Sequence, residues 1–385
     1  MARRRLLIIL AALVAVVSTA GVAKREEITR LLAVNTLFAP EKVVYNFSHM
    51  GTMFHTAPMR LPPREVAPLP AAPTPAALPD EILSWIEARD ITAMVVLRRG
   101  EVVFEDYFLG TKPDDRRISW SVAKSALATL FGIFVENGAI ASIDDPVTRY
   151  APALAGSAYD GATIRNVLNM ASGVAFNEDY LDFWSDINRM GRVIALGGSL
   201  DGFAASLTER ASAPGTAFRY VSIDTHVLGM VLRGATGQSV PELMTEHLFA
   251  PIGLEADPYF LTDGEGVAFV LGGLNLTTRD YARFGQLILE SGEWQGKEVI
   301  PENWVLEMIA ESAPGEFPRY GYQWWLPDDG RPGEVMAQGV YGQYIFIDRA
   351  AGVVIAINAA DLRFLEPGVQ DDNIDKMRMI VEAVR

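Results

Sequence analysis

A serine and a lysine three positions apart stand where an apolar helix is predicted to begin. Ser121 and Lys124 lead into residues 125–137, a run with helical periodicity that stops at Gly138, a residue suited to a left-handed cap. Residues three apart share a helix face. A partly desolvated amine near a helix N-terminus can lose enough basicity to accept the serine proton. The spacing is therefore typical of a serine nucleophile activated by a lysine, without a histidine.

A structural interpretation of the same pair stays open from these residues alone. Ser121 could cap the helix while the Lys124 side chain reaches solvent. However, the helix carries no other charge before Glu136, and a lysine in such surroundings normally needs a partner or a task.

Length, charge and composition limit the classes of function. The chain has 385 residues, enough for one large domain or two closely packed ones, and its formal net charge is −15. Nucleic acid is an unlikely ligand for so acidic a chain, because phosphate binding needs a basic face. There are no cysteines, and the four histidines show no zinc spacing. We expect no disulfide, metal or cofactor.

The N-terminus has the pattern of a targeting segment. Three arginines at positions 3–5 precede an apolar stretch, and residues 6–23 are long enough to span a bilayer as an uncleaved anchor. A signal peptide cleaved after small residues near position 20 fits the same pattern. Residues 1–23 are thus predicted to be a signal peptide or membrane anchor. The anchor is favoured, which would tether an exported, periplasmic or extracytoplasmic protein to the inner membrane.

The rest of the chain divides into an arm and a larger domain. Residues 24–79 form an arm and linker with eight prolines between positions 58 and 79, and residues 80–385 form the domain. A helix with Asp80 as its cap, a hairpin at 91–109, a helical middle, three late strands and a helix at 371–384 follow in order. This order predicts an α+β fold, an antiparallel sheet flanked by N- and C-terminal helices with an inserted all-α lobe. A site is expected where the lobes meet.

Two further elements follow Ser121-x-x-Lys124 in order along the chain. Tyr220-x-Ser222 comes just before a predicted helix, and Gly339 begins a short glycine-containing turn in a late strand. With these three elements, residues 80–384 resemble the serine β-lactamase and penicillin-binding-protein superfamily. The nearer likeness is to the class C-like branch with family-VIII-type esterases and 6-aminohexanoate-dimer hydrolases.

The resemblance implies a role for each matched residue. Ser121 would attack a carbonyl to form an acyl-enzyme, with Lys124, Tyr220 or the pair as general base. The backbone N–H groups of Ser121 and Val340 would form an oxyanion hole, and Ser222 would orient the Tyr220–Lys124 pair. Gly339 and Tyr341 would line the site from the late strand.

The resemblance also bears on the substrate. Tyr180, in an acidic loop at 176–180, and Asn275 are candidates for contacts with substrate. Gln338 or Ala337 stands where β-lactamases place a lysine or histidine that binds a substrate carboxylate. A small amide or ester is therefore the expected substrate. The alternatives are a β-lactamase or DD-peptidase acting on β-lactams or peptidoglycan, and a catalytically silent relative that binds cell-wall ligands. The oligomeric state stays open.

Overall fold

The computed structural model describes residues 25–63, 66, 68–316 and 318–385. The signal peptide or anchor predicted for residues 1–23 lies outside them and stays a prediction. Among the described residues, no helix is both long and apolar enough to cross a membrane.

Helices and strands alternate along the described chain, with a long helical stretch between the fourth and fifth strands. The helices are α1 Arg25–Asn35, α2 Val43–Ser48, α3 Asp80–Ala88, α4 Val122–Glu136, α5 Ile164–Leu168, α6 Asp186–Ala195, α7 Leu200–Ala205, α8 Ser222–Thr236, α9 Val240–Met244, α10 Ala250–Ile252, α11 Thr278–Leu289, α12 Glu302–Met308 and α13 Val369–Val384. The strands are β1 His55–Pro58, β2 Ile91–Arg98, β3 Glu101–Tyr107, β4 Arg117–Ile118, β5 Tyr259–Thr262, β6 Leu274–Leu276, β7 Glu293–Trp294, β8 Lys297–Glu298, β9 Glu334–Gly339, β10 Gln343–Asp348 and β11 Val353–Ala359.

A five-stranded antiparallel sheet, in the order β3-β2-β11-β10-β9, forms the centre of the fold. Its inner strands β2 and β11 are buried almost throughout, which explains their predominantly apolar sequences. The terminal helices α3 and α13 pack on one face. On the other face α11 comes so close that a methyl group at Gly285 would lie 2.5 Å from Cγ1 of Val354.

The predicted α+β fold is confirmed. Helices α4 to α10 form the inserted helical lobe between β4 and β5, and the hairpin, the three late strands and the closing helix are all present. One local difference concerns the first helix of the predicted domain. Pro79 occupies its N-cap position and Asp80 is the first helical residue, where its carboxylate still favours the positive end of the helix.

The arm, although it precedes the domain in sequence, packs as part of the hydrophobic core. Phe47, Met50 and Met59 are almost completely buried in the largest apolar cluster. Strand β1 pairs with β5 in a second, four-stranded sheet. In the proline-rich stretch that follows, Ala71 bridges to Val102. The division expected at residue 80 therefore does not coincide with an edge of the hydrophobic core.

The packing of the arm predicts a stability difference between two aromatic residues of α2. Phe47→Ala should lower the free energy of unfolding by about 3–5 kcal/mol, because it opens a cavity in the core. Tyr45→Ala is the matched control, since Tyr45 is 63% exposed in the same helix. Denaturant-induced unfolding measures both variants. Equal stability of the two would show that the arm does not pack as described.

Candidate active site

Ser121 and Lys124 lie at the start of α4, buried beneath the helical lobe. The Lys124 Nζ atom is 3.0 Å from Ser121 Oγ and donates a 2.8 Å hydrogen bond to the carbonyl oxygen of Leu271. Ser121 holds the N-cap position, but its side chain makes no capping hydrogen bond. Lys124 is only 2% exposed. The helix-cap interpretation with a solvated lysine therefore does not describe this pair.

The backbone before Ser121 is held in an unusual conformation. Strand β4 pairs with β6, and the N–H of Ser119 donates to the carbonyl of Leu274. The next residue, Trp120, has a φ of +43°, a region that bulky residues rarely adopt. Such an outlier persists only where the surrounding structure enforces it. Here β6 and the aromatic neighbours of Trp120 fix the direction in which Ser121 leaves the sheet.

Burial sets the charge state of Lys124. Loss of hydration lowers its pKa from the ordinary range to about 7, although the nearby carboxylates of Glu178 and Asp224 favour the protonated form. A sizeable fraction of this amine is consequently neutral near pH 7. A neutral amine 3.0 Å from a hydroxyl can accept its proton.

Tyr220 lies in the loop before α8, with Lys124 Nζ 5.3 Å from its ring centroid. Burial, and then the negative charge of Glu178, raises its pKa well above the ordinary range, although hydrogen bonds with the side chains of Ser121 and Ser222 oppose the shift. Tyr220 is thus a phenol and not the tyrosinate considered from the sequence. Its hydroxyl bridges Ser121 and Ser222 and can pass a proton on.

Glu178 is a site residue that the sequence did not single out. Its carboxylate accepts hydrogen bonds from the N–H of Ser222 at 3.0 Å, from the hydroxyl of Ser222, and from the hydroxyl of Tyr180 at 2.8 Å. The contact ties the acidic loop to the N-terminus of α8 and brings Tyr180 to the edge of the site. The available signal was a carboxylate beside a tyrosine in a loop already suspected of binding substrate.

Asp224 is a second buried acid near the lysine. It lies two residues after Ser222 on α8, is fully buried, and accepts a 2.7 Å hydrogen bond from the hydroxyl of Tyr159. Burial raises its pKa to about 8. An aspartate within an otherwise apolar helix face was the sequence signal for it.

The end of β9 lies directly against the nucleophile. A Cβ atom on Gly339 would be 2.8 Å from the carbonyl oxygen of Ser119 and 3.0 Å from the backbone nitrogen of Ser121, so only glycine fits. Within the described chain, the N–H groups of Ser121 and Val340 donate to no protein acceptor. Two free N–H groups on adjoining segments can hold a carbonyl oxygen as it gains negative charge.

Tyr341 follows with a φ of +61° and turns its ring outward from β9. The ring packs on Phe38 of the arm, with 5.0 Å between the ring centroids, and on Phe364, at 4.6 Å. Phe364 also contacts the ring of Tyr180. Tyr341 therefore joins the arm to the rim of the site.

Asn275 does not take the position expected of it. It is fully buried in β6, and its amide donates to the carbonyl of Gly273 at 2.9 Å. Because Asn275 is buried in the sheet and its amide is held by this hydrogen bond, its side chain does not line the cleft. Gln338, at the position where a cation was missing, lies near Gln370, with 3.4 Å between its Nε2 and the Gln370 Oε1 atom.

A cavity of about 650 Å³ lies beside Tyr220 and Glu178. Its walls are rich in acidic residues, with two arginines among them: Glu178, Asp179, Asp186, Arg189, Glu209 and Arg219. Tyr220 belongs both to the wall of this cavity and to the hydrogen-bonded neighbours of Ser121. In the described part of the chain, no cluster of three or more histidine, aspartate or glutamate side chains is arranged to hold a metal ion.

This geometry, with a Ser–Lys pair under a helical lobe and a glycine strand beside it, agrees with the comparisons. The sequence model of the Beta-lactamase family matches residues 87–374, and the chain belongs to this family. It is a hydrolase of the β-lactamase fold, of the amidase and esterase type, so the resemblance predicted from sequence is confirmed.

Its relatives include a 6-aminohexanoate-dimer hydrolase from Paenarthrobacter ureafaciens, 32% identical over 332 residues, which cover 81% of this chain and 84% of the relative. A Bacillus anthracis structure, whose description as a 6-aminohexanoate-dimer hydrolase is provisional, has a TM-score of 0.82 at 22% identity and covers 90% of this chain and 96% of its own. A family VIII carboxylesterase has a TM-score of 0.61 at 16% identity, covering 83% of this chain and 99% of its own. The two structures show a shared fold.

The close approach of β9 predicts that Gly339→Ala slows acylation of Ser121. The added methyl must displace the backbone at Ser121 and with it one donor to the carbonyl oxygen, a loss of about 100-fold in comparable sites. Reaction with a fluorophosphonate measures the rate. The matched control is Gly191→Ala, because Gly191 is in α6 with open space around it. Wild-type reactivity of Gly339→Ala would contradict the contact.

Proposed function

We propose that this chain hydrolyses a linear amide or ester through an acyl-enzyme on Ser121. The observation that carries the proposal is the 3.0 Å contact between Lys124 Nζ and Ser121 Oγ, made by an amine whose pKa is lowered by burial to about 7. This is the arrangement that nucleophilic catalysis by a hydroxyl requires.

Acylation begins when neutral Lys124 takes the proton of Ser121. Oγ then bonds to the substrate carbonyl carbon, and the carbonyl electrons move to oxygen, between the N–H groups of Ser121 and Val340. Collapse of this intermediate breaks the bond to the amine or alcohol. The departing nitrogen or oxygen needs a proton, which Tyr220 supplies from its hydroxyl while Lys124 restores it to Tyr220.

Deacylation repeats the steps with water in place of the serine. Water loses a proton to the same Lys124–Tyr220 relay, attacks the acyl carbon, and releases the carboxylic acid and free Ser121. Ser222, clamped by Glu178, holds the Tyr220 hydroxyl in line for both half-reactions. Neither half-reaction calls on a metal or cofactor.

The surroundings of the site favour a substrate with a cationic group. Carboxylates outnumber arginines on the cavity beside Tyr220, and a carboxylate cavity attracts an ammonium group. Gln338 offers no charge to the carboxylate that a β-lactam carries. A linear amide with a free amino group, such as an aminohexanoate dimer, meets the first condition. Because that dimer also ends in a carboxylate, the uncharged Gln338 favours a linear amide whose carboxyl end is itself amidated or esterified over both the free dimer and a β-lactam.

The nucleophile is tested with covalent probes. Ser121→Ala should abolish labelling by a fluorophosphonate and turnover of a short-chain ester, since the attacking oxygen is gone. Ser125→Ala is the matched control, because Ser125 is buried on the same helix and donates to the carbonyl of Gln323. Mass spectrometry locates the adduct. Labelling that survives in Ser121→Ala would sink the catalytic proposal, and turnover of labelled penicillin would favour the β-lactamase alternative.

The base is tested by the pH dependence of kcat/KM. Because the neutral amine is the active form, activity should be lost as the pH falls through the lowered pKa, with a midpoint near pH 7. Glu178→Gln should move this midpoint to lower pH, since the carboxylate charge favours the ammonium form. Lys124→Arg should be inactive throughout, because guanidinium stays protonated, whereas Lys112→Arg on the surface should match wild type. Full activity of Lys124→Arg would refute the assignment of Lys124 as the general base.

A further inference from the structure

Three large apolar side chains stand exposed together just beyond the site loop. Leu181, Phe183 and Trp184 have exposed fractions of 84%, 59% and 80%. They follow Tyr180 directly and precede α6. Contiguous apolar surface of this kind marks contact with a partner or a membrane.

These side chains are held outward by polar contacts and do not collapse onto the domain. The Asn188 side-chain amide donates to the carbonyls of Tyr180 and Asp182, at 3.0 and 2.8 Å. Arg192 donates to the carbonyl of Phe183 at 2.6 Å, and its guanidinium lies 4.3 Å from the centre of the Phe183 ring. Folding this loop inward would break these contacts. They therefore stabilise the orientation in which Leu181, Phe183 and Trp184 are exposed.

The same side of the molecule carries the start of the described chain. Helix α1 packs against α6, and its Ile28 and Leu32, one turn apart on one face, are 45% and 63% exposed. The chain enters α1 directly from residues 6–23, the predicted anchor. A helix of 11 residues is about 16 Å long, so a bilayer that holds residues 6–23 lies within that distance of α6.

We propose that Leu181, Phe183 and Trp184, together with Ile28 and Leu32, form a docking surface for the interface of a phospholipid bilayer. Tryptophan favours the headgroup level, while leucine and phenylalanine reach the acyl boundary. Since the chain has a formal charge of −15, the apolar contact and not attraction to anionic lipid drives docking.

Docking has a consequence for the substrate, which rests on the proposed hydrolase function. The loop that carries this surface also carries Glu178 and Tyr180, which contact Ser222. A docked domain therefore opens its cleft toward the bilayer surface. Amphiphilic amides or esters that partition into the bilayer become the favoured substrates.

The test uses the absence of cysteine in the chain. Trp184→Cys and, as control, Leu83→Cys each give the full-length protein one site for an environment-sensitive fluorophore; Leu83 is a 48% exposed leucine of α3. The labelled proteins are reconstituted in phosphatidylcholine vesicles that contain a nitroxide-bearing lipid. We expect quenching severalfold stronger at position 184 than at 83. This readout needs no catalysis and stands whether or not the hydrolase proposal holds.

Enzymatic activity gives a second, independent test. Leu181→Ser combined with Phe183→Ser should lower turnover of a vesicle-borne long-chain ester on the order of tenfold, with turnover of a soluble short-chain ester unchanged. Leu83→Ser should change neither. Equal quenching at both positions overturns the proposal. Two other results would also overturn it. If the fluorophore at position 184 becomes shielded without lipid as the protein concentration rises, the surface binds a second copy of the chain. If it becomes shielded only after acylation of Ser121, the surface covers the cleft.

Discussion

The desolvation of Lys124 is the constraint on which the rest of the site depends. In water an amine holds its proton far above neutral pH and cannot serve Ser121. Inside the domain, charged nitrogen loses its hydration, and the carbonyl of Leu271 replaces only part of it. The predominantly apolar sequence of α4 is thus a chemical requirement as well as a packing one.

This constraint explains why segments far apart in sequence meet at one point. The loop before α8 brings Tyr220 to the lysine and α8 itself brings Asp224. The loop at 176–180 adds Glu178, and β9 closes the other side at Gly339. Burial lowers the pKa of Lys124 to about 7, and the negative charge of Glu178, with that of Asp224 when it is ionised, opposes the shift. The pKa of the lysine is thus set by effects of opposite sign.

Much of the fold and the reacting pair could be predicted from sequence because their signals are local. The length and apolar composition of the strand-like runs predicted the central sheet, and Ser121 and Lys124 lie one turn apart by spacing alone. Tyr220 and Gly339 came from order along the chain and a family resemblance. Glu178 and Asp224 were missed because their importance lies in contacts across the fold. The arm looked like a linker because its strand β1 has only four residues and runs into the proline-rich stretch, so its pairing with β5 leaves no local signal. Asn275 was placed in a loop, whereas pairing within a sheet decides where it points.

The pairing of β1 with β5 also bears on how the chain reaches its folded state. His55 pairs with Thr262, so a segment made early must wait for one made much later. While the chain is being synthesised, the arm has nothing to pair with, and Phe47 and Met50 lack most of their core neighbours. Closure of this long loop is slow relative to local helix formation. We therefore expect the arm to join the fold late, after the helices of the inserted lobe have formed.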